Sequence, residues 1–395
     1  MTDMILVVNA GSSSLKFQVH ELPDGSGPSF VLGGQFSGIG AEQPAFRVKD
    51  SDGAVLEDRK LERGQAPDLG TAQDIMASWL RERMPEPPVA VGHRIVHGGP
   101  ELARSVLVSQ EILDYLDSLV PLAPLHQQNN LAPVHVIFRH WPEIRQVACF
   151  DTAFHRTQDR VAERFALPGE YYDRGVRRYG FHGLSYQYIA GHLRDTLPEV
   201  GAGRVIAAHL GSGASACALV DGVSRETTMG FTALDGLPMG TRPGRLDAGV
   251  VLWMLEQGMQ HDEIQDVLYN RSGMKGLSGI SSDMRTLLAS EEASARLAVD
   301  YFTYRTAESI AGLCVAAGGL DSLVFTAGVG ENSPEIRAGV CRRLDWMGIR
   351  LDENANADNA RVISASGSSI GVYVIPTNEE QVIARQTCEV IHGML

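Results

Sequence analysis

The stretch that decides the fold is Met4–His20, which reads MILVVNAGSSSLKFQVH. An apolar run, Met4–Val8, predicts a buried strand, and a polar turn, Asn9–Ser14, follows it. Leu15–His20 then predicts a second strand, in which apolar and polar residues alternate. The glycine and serines of the turn expose backbone N–H groups, which attract anions such as phosphate. This stretch therefore predicts a strand–turn–strand unit with an anion site at the turn.

The same pattern returns in the second half of the chain. Arg204–Ala208 predicts a strand, His209–Gly213 a glycine turn and Ala214–Val220 another strand. Superposing the two turns aligns Asn9 with His209, Gly11 with Gly211 and Ser12 with Ser212. The two units therefore indicate an internal duplication.

A third turn, Gly328–Asn332, follows the predicted strand Ser322–Thr326. None of the three turns is a P-loop, and the third lacks the last glycine of a dinucleotide fingerprint. Taken singly, each turn is more easily explained as an ordinary hairpin or strand–helix connection. Three such turns together indicate a phosphate clamp that is split along the chain.

The rest of the chain mixes strands with helices. Asp52 and Gly53, between two short apolar runs, predict a hairpin. Further strands are predicted at Gln146–Phe150 and Val372–Pro376, and helices at Ala72–Met84, Glu111–Leu119, Leu131–Trp141, Gly249–Glu256, Ala295–Ala317, from Pro334 and from Asn378. A chain of 395 residues is too long for one ordinary core. We therefore expect two α/β domains around a cleft, residues 1–152 joined by a C-terminal helix at 380–395, and residues 153–379.

The composition excludes several classes of protein. A formal net charge of -14 argues against a nucleic-acid partner, although a pocket can be locally basic. The five cysteines are scattered and form no C-x-x-C pair, so we expect buried free thiols and a reducing, cytoplasmic location. No apolar stretch approaches the roughly 20 residues of a membrane span.

Three basic residues stand out by their surroundings. Arg94 lies between apolar residues before a double glycine, and a buried arginine needs an anion. Its planar fork matches a carboxylate or a phosphate, although a structural Arg–Asp pair is the alternative. Arg242 repeats this logic in a loop flanked by glycines. Lys16 alternates with apolar neighbours and is either a surface lysine or a phosphate ligand.

Acidic residues and a histidine supply further candidates. Asp151 follows a predicted strand, where sites form in α/β sheets. His182 lies in a tight turn, where it could be structural or catalytic. Thr377 and Glu380 have capping-box spacing, which gives Glu380 a structural role. Glu379 has no such role, so it is the better candidate for a metal ligand.

Taken in order, these motifs resemble the acetate/propionate/butyrate kinase family of the actin–Hsp70–sugar kinase superfamily, nearly from end to end. The resemblance rests on Asn9–Lys16, Gly92–Gly99, Phe150–His155, Tyr179–Gly183, Met229–Thr232, Gly240–Arg242, Gly276–Ile280, Ser282–Arg285, Thr326–Asn332 and Pro376–Glu380. It implies a duplicated actin-like (ribonuclease H-like) ATPase fold and a homodimer. It also implies reversible, Mg²⁺-dependent transfer of the γ-phosphoryl of ATP to acetate by in-line displacement, with Mn²⁺ as a possible substitute.

The resemblance also implies a role for each candidate residue. Asn9 and Glu379 would help to hold the metal. Contacts to the nucleotide would come from Ser12, Ser14, Lys16, His209, Leu210, Gly211, Ser212, Gly213, Asp283, Met284, Arg285, Gly328, Val329, Gly330, Glu331 and Asn332. Arg94 would bind the acceptor carboxylate, His182 and Arg242 would stabilise the transferring phosphoryl group, and Asp151 would be the acid/base. The methyl pocket would be walled by Val96, Leu125, Phe181 and Ala233.

The chain departs from the family pattern at three places. Ser212 replaces a usual asparagine, which could weaken a phosphate contact. Gln127–Asn130 stands where the family usually has Asn-Pro-Pro. Ala233 replaces a proline and could admit one more carbon. Since a methylene is worth only about 1–3 kcal/mol in a pocket, propionate is a possible second substrate.

The chemistry of the acceptor makes a catalytic base unnecessary. A short carboxylic acid resembles a glutamate side chain, with a pKa of roughly 4.3, so it is already ionised at neutral pH. Our hypothesis is therefore that Asp151 orients an arginine or a metal-bound water. Two alternatives remain: a propionate or butyrate kinase, and an ATP-binding chaperone or filament protein of the same superfamily. Proteins of that second kind need no arginine for a carboxylate.

Overall fold

The computed structural model describes residues 3–11, 14–23, 27–84 and 86–394, except for the side chains of residues 124 and 125. The chain divides into two compact units. Unit 1 comprises residues 1–154 and 378–395, and unit 2 comprises residues 155–377. These divisions lie close to the predicted boundaries at 152/153 and 379/380.

Strands and helices alternate along both units. The strands are β1 Asp3–Ala10, β2 Ser14–Leu22, β3 Ser29–Ser37, β4 Ala45–Asp50, β5 Val55–Lys60, β6 Ala90–Ile95, β7 Val106–Leu107, β8 Arg145–Phe150, β9 Arg204–Leu210, β10 Ala214–Val220, β11 Val223–Thr227, β12 Ser322–Thr326 and β13 Gly371–Val374. The helices are α1 Leu69–Arg81, α2 Gln110–Ser118, α3 Pro124–His140, α4 Gly169–Asp173, α5 Gly183–Thr196, α6 Pro198–Gly201, α7 Ala248–Glu256, α8 His261–Asp266, α9 Gly273–Ser278, α10 Met284–Leu288, α11 Ala293–Ala317, α12 Ala327–Asn332, α13 Pro334–Arg343, α14 Glu353–Ala357 and α15 Glu379–Ile391. Shorter 3₁₀ or π turns lie at Val120–Leu122, Ala153–Thr157, Val267–Arg271 and Asp345–Met347.

The two units repeat one sheet topology. In the described part of unit 1 the strand order is β5-β4-β3-β2-β1-β6-β8-β7, and in unit 2 it is β11-β10-β9-β12-β13. In unit 1, β2 and β3 continue an antiparallel meander from β1, while β6 and β8 lie parallel to β1. In unit 2, β10 and β11 continue the meander from β9, while β12 and β13 are parallel to it. This repetition confirms the predicted duplication.

The central strands are buried because helices pack on the sheets. Helix α15 lies against β1, β6 and β8, and α11 lies against β9, β10 and β11. The contact between α15 and β6 is very close, since a Cβ built on Gly92 would lie 2.1 Å from Thr387 Oγ1. Glycine at this position therefore lets α15 approach the sheet closely. The whole of α15, including its first turn, belongs to unit 1.

The strand and hairpin predictions succeed where the pattern is local. The predicted strands Ala214–Val220 and Ser322–Thr326 coincide with β10 and β12. The Asp52-Gly53 hairpin is confirmed, because β4 and β5 pair and Gly53 has a φ of 81°. A left-handed residue of this kind favours glycine.

Other predictions need correction. The pattern assigns no strand to Ser29–Ser37 or Ala90–Ile95, which form β3 and β6. Glycines interrupt both segments; a Cβ on Gly34 would lie 2.4 Å from the Phe17 ring, so this glycine serves close packing. The predicted turn Gly328–Asn332 belongs to a short helix, α12. Helix α3 begins well before the predicted Leu131, because Pro124 takes the favourable first helical position.

In the described part of the chain, no helix combines the length and the hydropathy that crossing a bilayer requires.

Candidate active site

One cluster of polar side chains lies in unit 1, where three parallel strands end. Asn9 belongs to β1, Arg94 to β6, and Asp151 directly follows β8. Strands β1, β6 and β8 are parallel neighbours, so their carboxyl ends share one edge of the sheet. Helix α15 adds Glu379 and Glu380 from its first turn. We call these five residues the Arg94 cluster.

The Arg94 cluster is organised by a bidentate ion pair. Arg94 donates from Nε to Asp151 Oδ1 at 3.1 Å and from Nη2 to Asp151 Oδ2 at 2.6 Å. The side chains are 16% and 1% exposed, so the pair is shielded from water. Burial alone would lower the pKa of Arg94, but the carboxylates of Asp151 and Glu379 outweigh burial and raise it. Arg94 is therefore a permanent cation in a fixed orientation.

The amide of Asn9 links this arginine to α15. Asn9 Nδ2 donates to Glu380 Oε1 at 2.9 Å and more weakly to Glu379 Oε2 at 3.4 Å. Asn9 Oδ1 accepts from Arg94 Nη1 at 3.4 Å. The second carboxylate of α15, Glu380, is 7% exposed and therefore takes part in the cluster.

The capping role predicted for Glu380 is wrong. Helix α15 begins at Glu379, so its N-cap is Asn378, whose side chain accepts from the Gln381 N–H at 3.0 Å. The helix starts one register later than a Thr377 cap would require. This shift turns Glu380 inward, towards Asn9.

The donor chemistry of the cluster suits a magnesium ion that arrives with a nucleotide. In the described parts of the chain, no group of three or more His, Cys, Asp or Glu side chains could hold a metal by itself. Mg²⁺, however, usually takes one or two carboxylates, keeps several waters and binds phosphate oxygens. Asn9 and Glu379 offer an amide oxygen and a carboxylate of this hard type, and their side chains lie within hydrogen-bonding distance of each other.

Two amide side chains hold the segment that follows Arg94. The backbone N–H of Val96 donates to Asn130 Oδ1 at 2.9 Å, and Asn130 Nδ2 donates to the Ala10 carbonyl at 2.6 Å. Gln127 accepts from the His97 N–H at 3.1 Å and donates to the His97 carbonyl at 3.0 Å. The segment Gln127–Asn130, which differs from the family pattern, therefore fixes the backbone of Val96 and His97 by side-chain hydrogen bonds.

A second cluster lies in unit 2, around the turn between β9 and β10. His182 precedes α5 with a left-handed φ of 57°. Its ring stacks on that of His209, with the centroids 4.1 Å apart, and its Nδ1 lies 2.8 Å from Ser215 Oγ. Ser215 Oγ in turn lies 2.5 Å from the hydroxyl of Tyr186. We call this the His182 cluster.

Arg242 completes the His182 cluster. Its Nη1 donates to the Ala233 carbonyl at 2.8 Å, and burial lowers its pKa to about 10. Arg242 is thus still a cation at neutral pH, yet among the described residues it forms no ion pair with a carboxylate. A Cβ built on Gly213 would lie 3.0 Å from Arg242 Nη2 and 3.3 Å from His182 Nε2. The two side chains therefore converge on the glycine turn.

The predicted nucleotide residues occupy several other positions. Lys16 is exposed and pairs with Asn9 across β1 and β2, and Ser14 begins β2. The side chains of Asp283 and Arg285 are both exposed and pair with each other at 2.7 Å. Ser212 is exposed at the β9–β10 turn. Ser12 and the side chain of Leu125 lie outside the described residues.

The third predicted turn carries a structural carboxylate. Glu331 Oε1 accepts from the N–H of Ala327 at 2.8 Å and from the N–H of Thr377 at 3.2 Å. It thereby ties α12 to the segment after β13. Phe181 is 2% exposed, and its carbonyl accepts from His155 Nε2 at 3.0 Å.

The sequence interpretation gave no role in the site to several residues of these clusters. They are Gln127, Asn130, Ser185, Tyr186, Ser215 and Glu380. Ser215 had a usable signal, since it is a polar residue within an otherwise apolar strand, Ala214–Val220. The others lie in amphipathic helices or polar runs, where nothing local distinguishes them.

Known proteins resemble this chain over its whole length. The sequence model of the Acetokinase family matches residues 4–385. An acetate kinase from Nitrobacter hamburgensis is 53% identical over 391 residues, which cover 98% of this chain and 96% of that protein. The solved structure of a propionate kinase from Francisella tularensis aligns with a TM-score of 0.88 at 34% identity, over 98% of this chain and 100% of that chain. An acetate kinase structure from Porphyromonas gingivalis aligns with a TM-score of 0.82 at 35% identity, over 98% and 100% of the two chains.

These similarities confirm the predicted family and the duplicated α/β fold, since each extends across both units. The chain belongs to the acetokinase family.

Proposed function

We propose that the chain transfers the γ-phosphoryl group of ATP to acetate, reversibly, giving acetyl phosphate and ADP. The observation that carries this proposal is Arg242, a buried cation without a carboxylate partner in the described residues, aimed with His182 at the glycine turn of β9 and β10. A buried guanidinium needs an anion, and an N–H-rich glycine turn suits phosphate. Membership of the acetokinase family supports ATP as the donor and a carboxylate as the acceptor.

The physical obstacle in this reaction is the approach of one anion to another. Phosphoryl transfer involves little covalent work for a protein, so positioned positive charge and hydrogen-bond donors dominate catalysis. Arg242 is preorganised, because the Ala233 carbonyl fixes Nη1 while Nη2 lies beside Gly213. We assign Arg242 and His182 to the charge that develops on the transferring phosphoryl group.

Arg94 is the residue that we assign to the acceptor carboxylate. Asp151 occupies Nε and Nη2 of the guanidinium, and within the described parts of the chain Nη1 has only a long contact with Asn9. Acetate is already ionised, so it has no proton for Asp151 to remove. We therefore propose that Asp151 orients Arg94 and is not an acid/base.

The nucleotide and its metal have candidate residues in both units. We propose that Asn9 and Glu379 help to hold Mg²⁺, for which Mn²⁺ could substitute, and that the metal neutralises charge on the phosphate oxygens. In unit 1, Ser12, Ser14 and Lys16 are the candidates for phosphate contacts. In unit 2 they are the turn His209–Gly213, Asp283–Arg285 and Gly328–Asn332.

The preferred acid is proposed from the pocket residues. Val96 is buried and held by Asn130, while the carbonyl of Ala233 is the group that anchors Arg242. In the proposed pocket, Val96 favours acetate as the substrate, whereas the small side chain of Ala233 leaves space for one more carbon of the acid. Phe181 and Leu125 are the other proposed wall residues. We expect acetate to be the best substrate and propionate the second.

A hydroxylamine assay tests the proposed function directly. Hydroxylamine converts an acyl phosphate into a hydroxamate, so ATP- and acid-dependent hydroxamate formation reports the reaction with acetate, propionate and butyrate. We expect rates in that order and no hydroxamate without Mg²⁺. ATP hydrolysis that is indifferent to the acid would instead indicate a chaperone or filament protein, and butyrate as the best substrate would contradict the proposed pocket.

An exposed apolar helix supports a homodimer. Helix α7 has no buried residue, and Leu252, Trp253 and Leu255 are 61%, 57% and 49% exposed. Apolar surface of this kind marks interaction sites. We propose that a second copy of the chain covers α7. Light scattering should show a dimer that Trp253→Glu dissociates; a monomeric wild-type protein would refute the proposal.

We also propose a cytoplasmic location. All five cysteines are free, and burial raises the pKa of Cys149, Cys217 and Cys341 to about 12, which keeps these thiols protonated. Such unreactive thiols are typical of reducing compartments.

A further inference from the structure

Two buried hydroxyl groups, of Tyr186 and Ser215, connect α5 to the half-buried ring of His182 in the His182 cluster. The hydroxyl of Tyr186 lies 2.5 Å from Ser215 Oγ, and Ser215 Oγ lies 2.8 Å from His182 Nδ1. Tyr186 and Ser215 are both completely buried. Because bulk water does not reach these two hydroxyl groups, each must donate its proton to an acceptor of the protein itself.

The number of protons decides the direction of these hydrogen bonds. Ser215 has one hydroxyl proton, so it can donate to His182 or to Tyr186 but not to both. If Ser215 donated to Tyr186, the phenol proton would need another acceptor. The other hydrogen-bonding group beside the phenol is the backbone of His209, which acts on it as a donor. Within the described residues, only Ser215 can therefore accept from Tyr186, and Ser215 must donate to His182 Nδ1.

We propose that Tyr186 and Ser215 are positioning residues that hold His182 as a neutral imidazole with its proton on Nε2. This inference rests on the proposed function, because it assigns His182 the task of an uncharged hydrogen-bond donor to the transferring phosphoryl group. His182 Nε2 lies against the glycine turn, beside Arg242 Nη2, where such a donor is needed.

Protonation of His182 would disrupt this arrangement. An imidazolium carries a proton on Nδ1, so Ser215 could no longer donate to it, and either the serine proton or the phenol proton of Tyr186 would lose its acceptor. The titratable groups that face His182 are His209, stacked on its ring, Tyr186, reached through Ser215, and Arg242, at the same glycine. The charge of Arg242 also disfavours a second cation nearby.

A neutral donor has a mechanistic advantage at this place. It stabilises negative charge without surrendering its proton to a phosphate oxygen. Arg242 then supplies the charge, while His182 supplies a directed N–H. The hydroxyl chain thus converts a histidine that could exchange protons into a fixed donor, in both directions of the reaction.

Nitrogen NMR of the full-length protein without substrates tests the tautomer. We label the histidines with ¹⁵N, assign His182 with a His182→Gln variant, and titrate from about pH 8 to about pH 5.5. We expect wild-type His182 to be protonated at Nε2 only and not to titrate. In Tyr186→Phe, Ser215 Oγ is no longer needed as the acceptor of the phenol, so we expect His182 to take up a second proton at a higher pH than in the wild-type protein. Tyr179→Phe is the matched control, because it removes a buried hydroxyl that donates to the Gly175 carbonyl.

Two results would overturn the inference. One is a wild-type His182 that carries its proton on Nδ1. The other is a wild-type His182 that titrates in the same way as in Tyr186→Phe. If the wild-type protein makes no hydroxamate while His182 shows the expected tautomer, the proposed function fails and the hydrogen-bond direction stands.

Kinetics separate positioning from a merely structural role. We expect Tyr186→Phe and Ser215→Ala to lower kcat by about 2- to 10-fold, with the KM for acetate unchanged. The double variant should lose no more than either single variant, since both break the same chain. Ser215→Thr keeps the hydroxyl and should retain the expected tautomer. Additive losses, or an equal loss in Tyr179→Phe, would contradict the inference.

Discussion

Replacing Asp151 by asparagine separates an orienting carboxylate from an acid/base. The variant keeps the shape of the side chain and one acceptor oxygen, but it loses the charge and the second acceptor. In the wild-type protein these two oxygens accept at 3.1 Å and 2.6 Å from Arg94. Loss of one hydrogen bond to a charged group costs about 1.5–3 kcal/mol. Glu379, whose Oε2 is 3.8 Å from Arg94 Nε, keeps the guanidinium from being left without any carboxylate.

If Asp151 only orients Arg94, the free energy lost with this hydrogen bond lowers kcat/KM for acetate. We expect kcat/KM for acetate to fall by about 10- to 150-fold. The pH profile from about pH 6 to pH 9 should keep its wild-type shape, because acetate is ionised throughout. An acid/base role predicts instead that one limb of the profile disappears.

The assay is hydroxamate formation at saturating Mg²⁺ and ATP over a series of acetate concentrations, with thermal unfolding measured in parallel. Asp58→Asn is the control, since Asp58 pairs with Arg47 at 3.5 Å on the exposed surface of unit 1. That pair contributes at most about 1 kcal/mol, so activity and stability should barely change. A wild-type kcat/KM in Asp151→Asn would refute both roles, and a lost limb would refute orientation alone.

Further predictions concern Arg242, the glycine turn and the acyl pocket. Arg242→Lys should lower kcat by about 100- to 1,000-fold with little change in KM, and a change confined to KM would show that Arg242 only binds substrate. Gly213→Ala should lower kcat, since its Cβ would lie 3.0 Å from Arg242 Nη2. Gly312→Ala, in α11, places a Cβ that meets no atom within 4 Å beyond the adjoining helix backbone, so it should keep kcat and raise the free energy of unfolding by about 0.5–1 kcal/mol. Ala233→Pro should lower the ratio of kcat/KM for propionate to kcat/KM for acetate, and Val96→Ala should raise that ratio. Each change should correspond to about 1–3 kcal/mol of transition-state free energy. An unchanged ratio would show that other residues form the wall of the acyl pocket.

Continuous apolar runs predicted the central strands well, because such runs are buried whatever they pair with. Ala214–Val220 and Ser322–Thr326 are examples, and both are covered by helices or neighbouring strands. Strands with glycines, such as β3 and β6, escaped prediction. Their glycines serve contacts with Phe17 and with Thr387, which are distant in sequence.

Candidate site residues can be recognised from the sequence where a charged or glycine residue interrupts a run of another type. Arg94 in an apolar run and the glycine turns are of this kind, and the resemblance to a known family added roles to them. Glu380 shows the limit of local reasoning. Its spacing from Thr377 predicted a cap, while its carboxylate accepts from Asn9, 371 residues away along the chain.

The sequence by itself determined the alternation of strands and helices, the duplicated turn and the isolated charges, because hydrophobic period and backbone conformation are local properties. Only the tertiary structure decided which charges are satisfied. Among the described residues, Arg94 receives a bidentate carboxylate, Arg242 a carbonyl and no carboxylate, and His182 a hydroxyl chain from Tyr186. The physical reason is that a side chain's partner depends on which strands are neighbours and in which register they pair, and no short stretch of sequence carries that information.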